Sequence, residues 1–284
     1  MSPLSPEATA DVLTEALPFI HRFRGQIVVV KYGGNGMTEE GRATFASDVV
    51  LLRTVGIRPV VVHGGGPQIS QLMERLGKVP ELRDGLRVTD AETLDIARMV
   101  LVGKVNRDLV GAINVHAPWA VGLSGEDAGL IQAEARDPGL GFVGNVAAMN
   151  VSILERLMAE DLIPVVATIG SDTAGQAYNI NADTAAAAVA VALSAAKLIY
   201  LTDVEGIRRD ARDPASLIRT LSASELATLV DDGAVTTGMI PKVEGCLSAL
   251  VAGVGRAHVL DGRLPHALLL ELLTSEGIGT MVSP

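Results

Sequence analysis

The sequence predicts an α/β fold with a mainly parallel central sheet. Three observations predict it: short, wholly apolar runs recur along the chain, helix-period segments separate them, and glycine clusters stand directly after two of the runs. A continuous apolar run suits a parallel strand covered on both faces. Strand–helix alternation then favours a parallel sheet with helices packed over it.

The elements follow in order. Ser5-Pro6 is an N-cap with proline at the first helical position. Val12, Leu13, Ala16, Leu17, Phe19 and Ile20 then form an apolar stripe, in a helix that Pro18 is expected to kink. That helix either packs on its own domain or docks on another subunit. Ile27-Val28-Val29-Val30, Pro59-Val60-Val61-Val62, Ala120-Val121-Gly122-Leu123, Ile163-Pro164-Val165-Val166, Leu198-Ile199-Tyr200-Leu201 and Ala257-His258-Val259-Leu260 read as buried strands. Residues 39–55, 67–76, 90–113, 152–160, 182–195 and 241–252 read as helices. Thr89-Asp90-Ala91-Glu92 and Ser222-Ala223-Ser224-Glu225 both match a capping box. Residues 125–146 break the alternation, with Gly, Asp, Asn and Pro around short apolar pieces, as in hairpins. Long Pro/Ser linkers and internal repeats are absent from the sequence, so two lobes without a flexible hinge segment are expected, the first ending near Ile169-Gly170.

Composition narrows the function classes. The 284 residues are 48% hydrophobic, 20% charged and only 3% aromatic, so the core must come from Ala, Val, Leu and Ile. A formal charge of −10 leaves no basic footprint for nucleic acid. An anionic substrate must therefore be met by a few well-placed cations and backbone N–H groups. The lone Cys246 excludes an internal disulfide and fits a reducing compartment. The most apolar stretch, residues 185–196, falls short of the roughly 20 residues a spanning helix needs. Glu7, Asp11 and Glu15 precede the first cation, Arg22, unlike the basic start of a secretory signal. A cytoplasmic protein without a membrane partner is expected.

The residues that carry chemistry stand at strand ends. Val30-Lys31-Tyr32-Gly33-Gly34-Asn35-Gly36 and Val62-His63-Gly64-Gly65-Gly66-Pro67 each follow a strand. Glycine lets backbone approach a ligand closely, and N–H groups at a helix start favour an anion. Either cluster alone can be a tight turn; two after parallel strands, one with a lysine, point to a ligand. Neither is a Walker A sequence, and no Gly-x-Gly-x-x-Gly follows a strand. Asn179-Ile180-Asn181-Ala182-Asp183 opens an alanine-rich helix, where any one of the three polar residues can be its N-cap, but three exceed what capping requires. Gly238-Met239-Ile240-Pro241-Lys242 puts a cation at a helix start, disfavoured by the macrodipole unless an anion lies beside it. A solvated Lys242 is the alternative. Arg87, in Gly85-Leu86-Arg87-Val88-Thr89, is either a bidentate carboxylate ligand or a surface arginine.

Together, Lys31-Tyr32-Gly33-Gly34-Asn35, His63-Gly64-Gly65-Gly66-Pro67-Gln68, Gly85-Leu86-Arg87-Val88-Thr89, Asn179-Ile180-Asn181-Ala182-Asp183 and Gly238-Met239-Ile240-Pro241-Lys242 resemble the motif series of acetylglutamate kinases, in the same order. These belong to the amino-acid kinase family. The resemblance runs from about Gln26 to Val282. It implies a three-layer α/β/α sandwich, with an N-terminal helix (1–25) for oligomerisation and regulation, an N-terminal lobe (26–170) binding N-acetyl-L-glutamate, and a C-terminal lobe (171–284) binding ATP and arginine. The implied reaction passes the γ-phosphoryl group of ATP to the substrate's side-chain carboxylate, the second step of arginine biosynthesis.

Carried over by position, Lys31 and Lys242 contact the phosphoryl oxygens and Asp183 holds both lysines. Gly34 and Gly65 supply N–H groups to the transferring phosphoryl. Gly65, Gly66, Arg87, Asn179 and Asn181 fall on the substrate side, and Gly33, Gly34, Asp203, Gly206 and Met239 on the phosphate and nucleotide side. Magnesium is held through the ATP phosphates, with no protein ligand expected. Arginine-inhibited members resemble this chain at Lys197, His258, Glu271, Gly277 and Gly279, and their N-terminal arm interlaces dimers into a hexamer (a trimer of dimers). Phe19 stands where a tyrosine is expected in that arm. Rival readings are a kinase acting on an acylated aminoadipate or a related acid, and a catalytically silent arginine sensor.

Overall fold

The computed structural model describes residues 5–33, 38–210, 212–233, 235 and 237–284. The chain opens with α1 (Pro6–Phe23), capped by the Ser5 hydroxyl, which accepts from the Ala8 N–H. This helix runs on through Pro18 to Phe23. β1 (Ile27–Tyr32), α2 (Glu39–Thr54), β2 (Arg58–His63) and α3 (Gly66–Arg75) then alternate as the periodicity predicts. A hairpin of two short strands, β3 (Leu82–Arg83) and β4 (Leu86–Arg87), leads into a long helical stretch. That stretch is α4 (Ala91–Arg98), a π-helical segment (Met99–Val105) and α5 (Asn106–His116), joined without a break. β5 (Ala120–Ser124), β6 (Ile131–Ala135), β7 (Val143–Met149), α6 (Ser152–Ala159), β8 (Ile163–Ala167), β9 (Ile169–Ser171) and β10 (Ala177–Ile180) follow. The remainder is α7 (Ala182–Ala192), β11 (Lys197–Thr202), β12 (Thr220–Ser222), α8 (Ala223–Asp231), α9 (Ile240–Val251), β13 (Arg256–Asp261), α10 (Ala267–Leu273) and β14 (Thr280–Ser283).

All the apolar runs read as strands lie in one eight-stranded sheet, ordered β12-β14-β13-β11-β1-β2-β8-β5. From β13 to β5 every neighbour is parallel; β14 runs antiparallel to β13, and β12 runs parallel to β14. Side chains alternate between two cores, because successive strand residues point to opposite faces. Val28, Val30, Val61, Val165 and Ile199 face α2, α3, α4, α5 and α10. Val29, Val60, Val62, Val166 and Leu198 face α6, α7, α8 and α9. The result is the expected three-layer sandwich.

The hairpin-like segment becomes β6 and β7, which close with β9 and β10 into a small second sheet. Ser222 and Glu225 form the predicted capping box. The other box is corrected: Asp90, not Thr89, caps α4, its carboxylate accepting from the Thr93 N–H and also from Lys78. Thr89 instead turns its hydroxyl inward and donates to the Arg87 carbonyl. Among the described residues, no helix is long and apolar enough to cross a membrane.

Candidate active site

Parallel strands deliver their functional groups at their C-terminal ends, and here β1 and β2 do so side by side. Lys31, near the end of β1, is buried, and its Nζ lies 3.0 Å from Asp183 Oδ1. Lys242, in the first turn of α9, reaches Asp183 Oδ2, also at 3.0 Å. One carboxylate thus answers two ammonium groups, and the cluster keeps a net positive charge to offer an anion. Burial works to raise the Asp183 carboxyl, but Lys31 and Lys242 overcome it and hold the group below the usual carboxylate range. Asp183 also stands in the first turn of α7, where a negative charge is favoured. Beneath it, Tyr200 donates its hydroxyl to the Asp183 carbonyl at 3.1 Å. Gly245 of α9 leaves the room that this hydroxyl needs.

A cleft of about 240 Å³ opens beside the cluster, lined in part by Lys31, Gly65, Gly66, Arg87, Asn179 and Asn181. Arg87 is no surface arginine. Its Nη2 donates to the Gly66 carbonyl (2.9 Å) and the Ser70 hydroxyl (2.8 Å), and Nη1 lies 3.2 Å from Met73 Sδ. These contacts aim a half-desolvated guanidinium along the cleft wall. The three polar residues before α7 divide their work. Asn179 Nδ2 donates to Thr89 Oγ1 at 3.4 Å, Asn181 Oδ1 accepts from the N–H groups of Asp183 and Thr184 as the N-cap, and Asp183 holds the lysines. Gly65 is required by packing as well as by any ligand: a Cβ there would meet Leu101 Cδ2 at 2.8 Å.

The nucleotide-side residues are more scattered. A Cβ on Gly33 would stand 3.2 Å from Lys31 Nζ, so that backbone lies against the ammonium. Gly34 lies outside the described residues. Asp203 follows β11, and Gly206 has φ 155°, with Thr280 Oγ1 2.5 Å from where a Cβ would sit. Met239 precedes α9 and packs on the core beneath it. None of these three lines the cleft that holds Arg87. Among the described residues no group of three or more His, Cys, Asp or Glu side chains gathers as metal ligands do.

A second cavity of about 220 Å³, lined in part by Phe19, Lys197, His258, Glu271, Gly277 and Gly279, lies beside α1. Glu271 accepts from His258 Nδ1 (2.6 Å) and from the Ile278 N–H (2.8 Å). His258 Nε2 lies 2.8 Å from Lys197 Nζ, which also stands 4.9 Å from the centre of the Phe23 ring. Burial pushes Lys197 down to about 8; Arg256 and Arg22 add to this, against Glu271. Burial works to raise Glu271 as well, yet His258 and the backbone N–H groups hold it below the carboxylate range. The cavity therefore has a cationic side and an anionic side.

Two polar residues behind the glycine loop carry no signal of a role in the sequence. His63 and Asn106 are wholly buried and hydrogen-bonded to each other. The one clue is a polar residue at Asn106, within a helical segment that otherwise turns Val105 and Leu109 inward.

A parallel α/β sandwich with one buried and one partly buried ammonium group around one carboxylate, next to an arginine-walled cleft, defines a class of protein built to bring anions together. Residues 26–261 match the model of the amino acid kinase family, and the chain belongs to that family. Over 99% of its length it is 54% identical to the acetylglutamate kinase of Corynebacterium diphtheriae, covering 93% of that protein. Among solved structures it resembles N-acetylglutamate synthase from Neisseria gonorrhoeae, complexed with coenzyme A and N-acetyl-glutamate, at a TM-score of 0.87 and 28% identity. That match covers 97% of this chain but 63% of the synthase, so this chain spans less than two thirds of it. The same synthase complexed with coenzyme A and L-arginine matches at a TM-score of 0.84 and 29% identity, over 96% of this chain and 65% of the synthase.

Proposed function

We infer that this protein transfers the γ-phosphoryl group of ATP to the side-chain carboxylate of N-acetyl-L-glutamate, forming N-acetyl-L-glutamyl 5-phosphate for arginine biosynthesis. The observation that carries the reading is the Lys31–Asp183–Lys242 cluster at the edge of the Arg87 cleft. Near-full-length identity to an acetylglutamate kinase supports it.

A carboxylate of pKa ~4.3 is ionised at neutral pH, so the acceptor needs no general base. One of its oxygens forms a bond to the γ-phosphorus, and the bond from that phosphorus to the β,γ-bridging oxygen breaks. The electron pair leaves with ADP, and no proton moves. The difficulty is anion–anion approach, so catalysis rests on positioning and charge stabilisation. Lys31 and Lys242 receive the charge on the transferring oxygens. Gly34 and Gly65 present N–H groups to it. Arg87 and Gly66 of the lobe of residues 26–170, joined by Asn179 and Asn181 from the start of the next lobe, hold the substrate. Asp203, Gly206 and Met239 of the lobe of residues 171–284, joined by Gly33 from the first lobe, serve the nucleotide. The paired lysines fit an incoming polyphosphate, and Asp183 is committed to them, so a magnesium ion would arrive with the nucleotide and would supply charge shielding there.

L-arginine is the inhibitor in this reading, bound in the cavity beside α1. Glu271 and His258 face its guanidinium, Lys197 its carboxylate, and Phe19, Gly277 and Gly279 complete the walls. The exposed face of α1, with Val12 55% and Leu13 68% exposed, docks on a second copy and builds a hexamer.

The test is ADP release and hydroxamate formation with ATP, magnesium and N-acetyl-L-glutamate, glutamate or N-acetyl-aminoadipate, with and without arginine. Turnover confined to N-acetylglutamate and falling as arginine rises is expected. A folded, ATP-binding protein that turns over none of them is an arginine sensor instead.

A further inference from the structure

The π-helical segment Met99–Val105 is wider than the α-helix on either side of it, and it ends at Asn106. One residue inserted into a helix rotates everything after it by roughly 100°. Here that rotation turns a carboxamide into the interior. Asn106 has no exposed surface, and its Nδ2 donates to the Val165 carbonyl at 2.8 Å and to His63 Nε2 at 3.1 Å, with the Leu123 carbonyl at 3.4 Å. Its Oδ1 accepts from Arg107. Gly122 of β5 keeps this space open, since a Cβ there would collide with both side chains. The histidine's other nitrogen fixes its state: Nδ1–H donates to the Gly64 carbonyl at 3.1 Å, leaving Nε2 free to accept.

The chain of contacts ends at the glycine loop. Asn106 ties the start of α5 to β2, β5 and β8, His63 carries the tie to Gly64, and Leu101 and Val105 pack against Gly65. We propose that Asn106 is a positioning residue: through His63 it locks residues 64–66, whose Gly64 N–H is itself bonded to the Tyr32 carbonyl, so that the Gly65 and Gly66 N–H groups are aimed before substrate arrives. The π-helical segment exists to turn Asn106 inward. This inference rests on the acetylglutamate kinase reading, but its first tests need no substrate.

In the unsubstituted protein, ring ¹⁵N shifts are expected to show His63 as the neutral Nδ1–H tautomer; an Nε2–H tautomer overturns the proposal, because Asn106 then has no lone pair to meet. Hydrogen exchange in unliganded Asn106→Asp and Asn106→Ser is expected to accelerate in residues 63–68 by roughly tenfold or more, beyond the change elsewhere. Uniform acceleration, or none, in a folded variant overturns it. With substrates, kcat/KM for N-acetylglutamate is expected to fall on the order of 10²-fold while KM for ATP stays within about twofold. Activity lost only in proportion to the folded fraction overturns it. If the unsubstituted protein turns over no acetylglutamate, the functional reading fails and the exchange and tautomer results still decide the clamp.

Discussion

Asp183 is pulled in two directions, and the balance sets how it responds to pH and to substitution. Its folded pKa is depressed by two ammonium groups, so its stabilisation is fully present above the unfolded value of ~3.9 and is lost as pH falls through the folded value. Asp183→Asn leaves the buried Lys31 and the partly buried Lys242 without a countercharge. We expect about 3–5 kcal/mol lost at pH 7, checked by urea unfolding, and that loss should shrink as pH falls below ~3.9, where the unfolded carboxylate takes up its proton before the native one does. Turnover should fall on the order of 10²–10³-fold, because both lysines lose their aim. Tyr32 offers the opposite case. Its ring stacks on Phe45 at 4.1 Å between centroids, yet its buried hydroxyl has no hydrogen-bond partner among the described residues, and burial pushes it up to about 12. Tyr32→Phe keeps the stack and removes the unmet group, so thermal unfolding should show unchanged or higher stability, by up to ~1 kcal/mol. At this scale the sequence was legible where charge stood out of place: Lys31 after an apolar run, Lys242 at a helix start. His63 and Asn106 were not, because a buried polar residue advertises no partner until the fold supplies one.

Among the elements, Gly65 connects two that are distant in sequence, the turn into α3 and the π-helical segment. Its φ of 176° is extended backbone open to any residue, so space and not conformation demands glycine there. Gly65→Ala must push Leu101 off a fully packed wall. A cost of about 1–3 kcal/mol is expected from overpacking, with a larger proportional loss in kcat/KM for N-acetylglutamate than for ATP; equal losses in both would separate the loop from the acceptor side. β1, β2, β5, β8, β11 and β13 of the large sheet were readable because each carries a complete apolar run, whereas its short β12 and β14 were not. β9 and β10, of three and four residues, were not. Too short to show a period, they acquire strand geometry only by pairing with β6 and β7. The π-helical segment is likewise invisible to a 3.6-residue pattern, which counts residues 90–113 as one helix.

For the whole molecule, α1 divides its apolar stripe between two duties. Ala16, Phe19 and Ile20 pack on the core and Phe23 is buried, whereas Val12, Leu13 and Leu17 remain exposed. The two readings that the stripe left open are thus answered on one side by the packed residues. Glu at Val12, Leu13 and Leu17 together spares that packing, so the variant should fold and keep its basal turnover. If the proposed hexamer forms through α1, sedimentation should show a smaller assembly than the unsubstituted protein's, and the proposed inhibition should need more arginine; an unchanged mass would remove α1 from the interface.

The strand order carries a mechanical consequence. β1, which bears Lys31, pairs with β11 on one side and β2 on the other, so the halves proposed for nucleotide and acceptor are laced together by backbone hydrogen bonds along a shared strand. A hinged clamp concentrates rotation in a few soft torsions; a laced sheet must distribute it as small changes of twist over every rung. Any approach of the two halves would therefore resemble the flexing of a leaf spring, and stiffness, rather than a latch, would set how far they travel.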